Sequence, residues 1–485
     1  MELKKYKLGD IAKIEISGVD KKSVDGETPV RLCNFVDVYR NWAITQKLSE
    51  NFMIASAKET EIAKCSIHKG KVAITKDSET RDDIGIPAYI ADDFDNVLLG
   101  YHCALITPND DVLDGKYLNA FMHTRYIQKY FENNASGSGQ RYTLSNETIF
   151  QIPILLPSLE VQKAIGSLLS NIDRKIELNR QINDNLEKMA KQLYDYWFVQ
   201  FDFPNENGRP YKSSGGAMVW NEKLKREIPK EWDNCTLEYY LIIKNGRDHK
   251  HLGNGIYPVY GSGGEIRKVD SFIYSGESIL MPRKGSLNNI MYVNDAFWSV
   301  DTMFYSEMKQ PHCAKYVFYS IKDIDFTRWD SGTGVPSMTS STLYSILLVK
   351  PDADSLAKFD EIITPLFLMI KKNEMQIVEL TKQRDDLLPL LMNGQASVNY
   401  HLSKWSIGFL CLDMHIEYDK DIVQKEADKQ DFNPLVRKPY SFTFFKHTSY
   451  PFFMFLLQFK LFVTMSHKLP TDFHNKVHTN VVQRF

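Results

Sequence analysis

The chain lacks a strong excess of charge of either sign, because 59 lysines and arginines face 61 aspartates and glutamates among 485 residues. Any contact with nucleic acid must therefore use a local basic surface. Cysteine is also scarce, and no two cysteines form a CxxC pair of the kind that zinc sites and redox motifs need. The six stand far apart in sequence, at Cys33, Cys65, Cys103, Cys235, Cys313 and Cys411. Residues Met1–Tyr6 carry no apolar run of the signal-peptide type, so we expect a cytoplasmic protein with reduced thiols.

Motifs for catalysis are missing as well. The sequence has no G-x-x-x-x-G-K-[ST] loop, which argues against a nucleotide-driven motor. It has no Asn/Asp-Pro-Pro-Tyr/Phe motif, the pocket expected for methylating an amino nitrogen. His249 and His251 form an HxH pair without a third ligand nearby. We therefore expect no catalytic residue, no bound metal or cofactor and no membrane span in this chain.

What the sequence does contain is a long-period repeat. The segment Ser136–Tyr142 leads through an apolar run to Pro157, and about 195 positions later Ser331–Ser337 leads in the same way to Pro351. Each is followed by a helical pattern. Such a duplication predicts two similar modules joined by two similar spacers, an arrangement that suits a target with two separated halves.

The first helical pattern extends over residues 159–199 and has one apolar stripe. Its members recur at alternating spacings of three and four, at Val161, Ile165, Leu168, Ile172, Ile182, Leu186, Met189, Leu193 and Tyr196. Asn179 fills one position of this stripe. The pattern predicts a helix of roughly 40 residues, roughly 60 Å long, whose stripe requires a partner helix.

The second helical pattern runs from Ser355 to Asn393 with the same spacing. Its stripe comprises Leu356, Phe359, Ile363, Leu366, Ile370, Ile377, Leu380, Leu387 and Leu391. A shift of 194 residues places Asn373 on Asn179, so we predict that the two helices pair antiparallel and that both asparagines fix the register. The alternative is two unrelated amphipathic helices, each packed on its own domain.

The remaining segments read as mixed α/β domains with short strands and loop-rich surfaces, and one helix is predicted near Tyr117–Phe131. The predicted class is α+β, with two mixed α/β domains separated by two long helices that form an antiparallel coiled coil. The boundaries are 1–157 for the first domain, 158–202 for the central spacer, 203–351 for a linker and the second domain, 352–394 for the C-terminal spacer and 395–485 for a tail.

The tail differs from the rest in composition, since it holds 12 of the 28 phenylalanines and 6 of the 12 histidines. We interpret residues 395–485 as an atypical, non-native extension that is not needed for DNA recognition or partner binding.

Polar and basic residues in the loops of both domains are the candidates for DNA contact, because they can donate hydrogen bonds to phosphates or base edges. Each one alone is more often a solvated surface group. The candidates are Lys69, Lys76, Arg81, Ser138, Gln140, Arg141, Tyr260, Arg267, Lys268, Arg283, Lys284 and Asn288.

Several segments resemble the specificity subunit of type I restriction-modification systems. Residues 153–165 resemble the boundary where a target-recognition domain enters its helical spacer, and residues 171–179 resemble the spacer itself. Residues 188–203 resemble the exit into the second half. The likeness covers about residues 1–397, although the stretch 352–355 departs from the usual leucine-glutamate-glutamine pattern.

The resemblance implies that each domain reads one half of an asymmetric, interrupted site in double-stranded DNA. It also implies two methyltransferase (M) subunits on the spacer helices, which use S-adenosylmethionine to methylate adenine. Two restriction/translocase (R) subunits would use ATP and Mg²⁺. Three other readings stay open: a fused methyltransferase or nuclease, a coiled-coil adaptor that does not bind DNA, and an inactive or phase-variable copy of a specificity subunit.

Overall fold

The computed structural model describes residues 3–20, 22–138, 141–329 and 336–398. Two α/β domains and two long helices make up this part of the chain. No helix within these ranges is both long enough and apolar enough to span a bilayer. The predicted tail lies almost entirely outside the described residues.

The first domain is built around a mixed five-stranded sheet in the order β2-β10-β6-β8-β4, flanked by the three-stranded sheets β5-β3-β9 and β11-β12-β7 and the pair β1-β13. The strands are β1 Lys4–Lys7, β2 Ala12–Ile16, β3 Thr28–Cys33, β4 Ala43–Ile44, β5 Met53–Ala57, β6 Val72–Thr75, β7 Asp77–Ser78, β8 Pro87–Ile90, β9 Val97–Leu99, β10 Cys103–Pro108, β11 Ser136–Ser138, β12 Arg141–Thr143 and β13 Pro153–Leu156.

Short helices cover this sheet. They are α1 Leu8–Ile11, α2 Phe35–Arg40, α3 Gln46–Ser49, α4 Glu59–Cys65, α5 Gly115–Met122, α6 Arg125–Asn134 and α7 Asn146–Phe150. The single helix predicted near Tyr117–Phe131 is wrong, because two helices occupy this stretch. Thr124 separates them, and its hydroxyl accepts the N–H of Ile127 as the cap of α6.

The first long helix, α8 Leu159–Tyr194, continues into a π-helical turn at Asp195–Val199. Its start is fastened to the first domain by the buried Gln162, whose amide donates to the carbonyl oxygens of Val112 and Pro157. Gly166 lets α5 approach closely, because a Cβ there would lie 2.7 Å from the backbone nitrogen of Tyr117.

The second domain contains a six-stranded sheet in the order β17-β22-β20-β21-β18-β19 and the pairs β14-β15 and β16-β23. Its strands are β14 Met218–Asn221, β15 Arg226–Pro229, β16 Asp233–Thr236, β17 Leu241–Asn245, β18 Asn254–Gly261, β19 Gly264–Val269, β20 Tyr274–Pro282, β21 Met291–Ser299, β22 Met303–Met308 and β23 Leu347–Lys350. Its helices are α9 Ala314–Lys322, α10 Ser340–Tyr344 and the 3₁₀ turns Leu237–Tyr239 and Phe326–Trp329.

The second long helix, α11 Ala353–Met392, begins where the sequence departs from the family pattern. Asp352 caps it by accepting the N–H of Ser355 at 2.8 Å, and its other carboxylate oxygen accepts the indole N–H of Trp232 at 2.8 Å. Burial acts to raise the pKa of Asp352, but these hydrogen bonds lower it on balance. The departure therefore has a structural role as a helix cap that also ties the helix to the second domain.

The two long helices pack antiparallel, as predicted. Leu391, near the end of α11, shares the core of the first domain with Ile165, near the start of α8. Phe359, near the start of α11, shares the core of the second domain with Trp197, just after α8. Each domain thus holds one end of each helix, and the alternative of two helices packed separately is excluded for the described residues.

The predicted stripe of α8 is only partly correct. Ile165, Leu186 and Leu193 are buried, as is Asn179, whereas five predicted positions each lie one residue before a buried one: Val161, Leu168, Ile182, Met189 and Tyr196. Ile182 was placed in the interface but is 42% exposed, whereas Asn183 beside it is buried. The buried positions of α8 are Gln162, Ile165, Gly166, Leu169, Ile176, Asn179, Asn183, Leu186, Ala190, Leu193 and Tyr194. Apolar character misled the prediction here, because the interface accepts a polar side chain where its partner helix supplies hydrogen bonds.

The two domains repeat the same internal packing. Tyr117 on α5 is buried and donates its hydroxyl hydrogen to the carbonyl oxygen of Leu155 in β13, at 2.7 Å. Tyr316 on α9 is likewise buried and bonds in the same way to Val349 in β23. The duplication seen in the sequence is therefore also a duplication of structure.

Candidate nucleic-acid interface

The sheet β11-β12-β7 brings together predicted DNA contacts that are far apart in the sequence. Strand β12 begins at Arg141 and pairs antiparallel with β7, which directly follows Lys76. Leu144, just after β12, donates its N–H to the carbonyl oxygen of Lys76 at 2.9 Å. Lys76 and Arg141, two predicted DNA contacts that are 65 residues apart in the sequence, thereby lie at two neighbouring strands, Lys76 directly before β7 and Arg141 in β12.

Arg141 belongs to a cluster with Asp77 and His102. Its Nη2 donates to Oδ2 of Asp77 at 3.1 Å, and the Nδ1 atom of His102 lies 2.5 Å from both Asp77 Oδ2 and Arg141 Nη2. Burial acts to raise the pKa of Asp77, but hydrogen bonds from Thr143, His102 and Arg141 lower it on balance. Asp77 is therefore a charged anchor for the arginine.

The other candidates of the first domain have different surroundings. The guanidinium of Arg81 is exposed and lies 5.0 Å from the ring centroid of Tyr142 in β12, so it joins the same surface. Lys69 is exposed too, but it lies apart from this sheet, beside the long helix α8. Ser138 ends β11, yet its side chain lies outside the described residues, as does all of Gln140.

Arg283 of the second domain occupies the backbone position that Lys76 occupies in the first. The N–H of Lys76 donates to the carbonyl oxygen of His102, the residue before β10, and the N–H of Arg283 donates in the same way to Thr302, the residue before β22. Met338 donates its N–H to the carbonyl oxygen of Arg283 at 2.9 Å, as Leu144 does for Lys76. Both Arg283 and the following Lys284 are exposed.

Arg267 and Asn288 already have partners within the protein. The Nη2 of Arg267 donates to the carbonyl oxygens of His249 and Leu252 and so holds the loop before β18. Asn288 accepts the N–H of Phe326 at 2.8 Å. Their contact with DNA stays a prediction. To contact DNA, each side chain would have to keep its hydrogen bonds within the protein or replace them with bonds to DNA.

Tyr260 and Lys268 lie on the hairpin of β18 and β19. Lys268 is exposed on β19, the edge strand of the six-stranded sheet. Tyr260 is half-buried and points toward the long helices, and burial raises its pKa to about 12. Of the two, only Lys268 presents its functional group on an open surface.

Each domain forms a groove with the long helices at corresponding places. The first groove has a volume of about 370 Å³ and contains Lys69, Arg174 and Arg180. The second has a volume of about 340 Å³ and contains Leu368 and Glu374 at the positions that a shift of 194 residues assigns to Arg174 and Arg180. The two grooves are therefore alike in position but different in chemistry.

Both predicted register residues lie in the helix interface, although they do not contact each other. Asn179 donates from Nδ2 to the side-chain oxygen of Gln376 at 3.2 Å. Asn373 donates to Oδ1 of Asn183 at 2.8 Å, and Asn183 in turn donates to the carbonyl oxygen of Ile370 at 3.3 Å. The middle of the helix pair thus contains a polar layer made of two hydrogen-bonded side-chain pairs.

The sequence did not single out Asp77 or His102. The chain turns between β9 and β10, and His102 in this turn has φ of +67°. Gly100 at the start of this turn was the available signal, because glycine between two apolar runs is typical of a turn.

Residues 1–188 match the family model described as the type I restriction modification DNA specificity domain. The chain is 26% identical over 378 residues to the type I restriction enzyme MjaIX specificity subunit of Methanocaldococcus jannaschii, which covers 70% of this chain and 81% of that protein. It is 31% identical over 141 residues to the HindI specificity subunit of Haemophilus influenzae, covering 29% of this chain and 30% of that one.

The fold is similar to the crystal structure of a type I restriction-modification S subunit from M. genitalium. The superposition has a TM-score of 0.53 and 16% sequence identity, and it covers 81% of this chain and 96% of the other. At this level of identity the likeness concerns the fold alone.

Proposed function

We propose that this chain is a specificity subunit of a type I restriction-modification system, as the match of residues 1–188 and the similar specificity subunits support, and that each of its two domains reads one half of an interrupted DNA site. The first domain would read one half-site, the second domain would read the other, and the helix pair would set the gap between them. The chain itself would be non-catalytic.

The observation that carries this proposal is the repeated surface at Lys76 and Arg283. Both residues hold the same backbone position in their own domain and lie beside exposed basic side chains. The domains hold opposite ends of α8, which at 36 residues is about 54 Å long. Successive turns of a DNA major groove are about 34 Å apart, so two readers on such a scaffold suit two separated half-sites.

The helix pair supports the proposal that methyltransferase subunits dock on it. Several large apolar side chains of α8 and α11 are exposed, whereas a two-helix scaffold with no partner would be expected to present polar groups there. They are Leu178, Ile182, Ile362, Leu368, Met369, Met375 and Val378. We infer two M subunits on these helices and two R subunits joined to the assembly.

The chemistry of the system would reside in those subunits. S-adenosylmethionine would be used by the methyltransferase subunits, and ATP and Mg²⁺ by the restriction subunits. The sequence of this chain contains neither a P-loop motif nor the Asn/Asp-Pro-Pro-Tyr/Phe motif, which supports a role in recognition.

The test is methylome sequencing of cells that express this chain together with its methyltransferase subunit. We expect a new adenine mark within a motif of two defined halves separated by a fixed number of unspecified bases. Replacing residues 1–157 by the corresponding domain of another such subunit should change one half and leave the other. A continuous motif would contradict the proposal, and no new mark would favour an inactive copy or an adaptor that does not bind DNA.

A further inference from the structure

Arg141 is held in an exposed position by two side chains from other parts of the first domain. Its side chain is 57% exposed, whereas that of Asp77 is 16% exposed and that of His102 is 31% exposed. Asp77 is the first residue of β7 and pairs with Thr143 of β12, and His102 lies in the turn before β10. Among the described residues, the polar contacts of the guanidinium all involve Nη2, so the N–H groups of Nη1 and Nε have no partner in this part of the chain.

His102 has a backbone conformation that side chains other than glycine rarely adopt. Its φ of +67° lies in the left-handed region, which costs a non-glycine residue about 1 kcal/mol or more and recurs at functional sites. Thr302, the corresponding residue of the second domain, is not among the residues with positive φ in the described chain. The unusual turn is therefore particular to the first domain, and it is what brings the imidazole beside Arg141.

The described residues of the second domain do not repeat the cluster. Where the first domain has Asp77 after Lys76, the second has Lys284 after Arg283. A shift of 194 residues aligns Arg141 with Val335, which lies outside the described residues and has no side-chain donor. Among the described residues, the shared framework thus carries this anchored arginine in the first domain and no counterpart in the second, as expected if the two domains read different bases.

The acidic anchor argues against a simple phosphate contact. A carboxylate 3.1 Å from the guanidinium compensates its positive charge and repels a phosphate that approaches the same group. A base edge carries no net charge, so the carboxylate does not repel it. It instead fixes the orientation of the donors, which reduces the conformational entropy lost on binding.

We propose that Arg141, oriented by Asp77 and His102, is a specificity-determining residue that reads the O6 and N7 edge of a guanine in the half-site bound by the first domain. An arginine that donates two parallel hydrogen bonds to guanine in the major groove is the commonest specific contact between proteins and DNA. Arg141 contacts the base, and Asp77 and His102 are positioning residues. The inference rests on the proposed function of the first domain.

The test uses the complex of this chain with its methyltransferase subunits and duplexes that carry the methylated motif or one base-pair change in it. We expect Arg141→Ala to reduce the discrimination at one G·C pair of the first half-site by about 10-fold or more. Arg141→Lys should show the same loss, because lysine keeps the charge but lacks the planar fork. Asp77→Asn should give a smaller loss at the same base pair.

Two controls make the result specific. Arg125→Ala removes another exposed arginine of the same domain, one on α6 whose guanidinium lies 2.7 Å from the carboxylate of Glu132. This variant should leave the discrimination at every base pair unchanged. Discrimination in the second half-site reports whether each variant is folded, and Arg141→Lys provides a second variant if Arg141→Ala folds poorly.

Three outcomes would overturn the inference. One is a first half-site without any G·C pair. Another is unchanged discrimination in both Arg141 variants. The third is an equal loss of methylation on all duplexes in Arg141→Ala, with a weaker salt dependence, since that pattern identifies a phosphate contact. If the wild-type complex directs no two-part mark at all, the proposed function fails instead, and the two failures are thereby distinguished.

Discussion

Asn373 donates a hydrogen bond from its Nδ2 to Oδ1 of Asn183, 2.8 Å away on the antiparallel helix. The internal repeat aligns Asn373 with Asn179, yet Asn179 bonds to Gln376. The residue that the repeat aligns with Asn183 is Ile377, so the polar layer departs from the symmetry of the duplication. It therefore gives the two helices a register that the apolar positions alone would specify less strictly.

The first prediction concerns this asparagine pair. In a double-mutant cycle of Asn183→Ala and Asn373→Ala, we expect a coupling of about 0.5–1.5 kcal/mol in the free energy of unfolding. The same cycle for Asn179 and Gln376, whose contact is longer at 3.2 Å, should give a smaller value. Denaturant unfolding measures both, and additive effects at Asn183 and Asn373 would show that their bond does not contribute.

A second prediction concerns the pH dependence of stability. Asp173 of α8 lies 3.4 Å from Arg384 of α11, and burial raises its pKa to about 6 because the loss of hydration outweighs the attraction of the arginine. The unfolded carboxyl has a pKa near 3.8, so the folded state binds this proton more tightly. The contribution of Asp173 to stability is therefore fully present below pH 4 and is lost as the pH rises through 6.

Asp173→Asn should remove this loss. Between pH 4 and pH 7 the wild type should lose on the order of 2 kcal/mol of unfolding free energy that the variant does not lose. Denaturant titrations across this range measure the difference. Parallel curves for the two proteins would show that Asp173 is not protonated preferentially in the folded state.

A third prediction compares two lysines that join the second domain to α11. The side chain of Lys315 is 4% exposed and donates to Glu277 at 2.6 Å and to Asp360 at 2.9 Å. Lys371 is 45% exposed and pairs with Asp295. We expect Lys315→Met to lower the free energy of unfolding by about 2–4 kcal/mol, because two partly buried carboxylates lose a buried cation.

Lys371→Met is the matched control. It should cost less than about 1 kcal/mol, because an exposed ion pair contributes little. Thermal or denaturant unfolding of both variants checks the contrast, and equal losses would show that burial of the Lys315 network does not determine its contribution.

A fourth prediction tests whether the helix pair sets the number of unspecified base pairs between the two half-sites. Residues 177–183 of α8 and 371–377 of α11 lie opposite each other near the polar layer. Duplicating both segments should lengthen the pair by about 10 Å and widen the unspecified gap by about three base pairs. Duplicating only one should abolish methylation, because the interface residues no longer match. Methylome sequencing reads both results, and an unchanged gap would exclude this role.

A fifth prediction compares two truncated chains, one that lacks only the tail and one that also lacks the end of α11. Leu388, Leu391 and Met392 lie in the core of the first domain, and Ala396 and Val398 pack against it. A chain that ends after Val398 should keep its stability and its methylation motif. A chain that ends after Asp386 should lose several kcal/mol of stability through the emptied core positions. Loss of motif recognition in the longer chain would contradict our interpretation of residues 395–485.

The large features of the fold could be predicted because they depend on patterns that recur along the chain. The duplication, the two long helices and their antiparallel pairing follow from heptad spacing and from the 194-residue shift. The exact interface of α8 could not be predicted in this way. Ile182 and Asn183 are adjacent, and hydrophobicity favours the first, whereas the hydrogen-bond donor of Asn373 makes the second suitable for burial.

The candidate DNA surface could also be predicted from the sequence in part. Lys76, Arg81 and Arg141 were selected from the sequence as basic residues in loops, and the structure places them around one small sheet. Whether they contact DNA stays a prediction. Arg267 was chosen by the same criterion but holds a loop. Residue type alone cannot separate these roles, since both use the same donors.

The sequence by itself determined that there are two like modules and two long helices, because periodic spacing and repetition are local properties of the chain. Only the tertiary structure decided that Asp77 and His102 anchor Arg141. These residues are 25 to 64 positions apart, and strand pairing together with one left-handed turn brings them within hydrogen-bonding distance. A contact between distant segments depends on where the whole fold places each backbone, and no local pattern records that position.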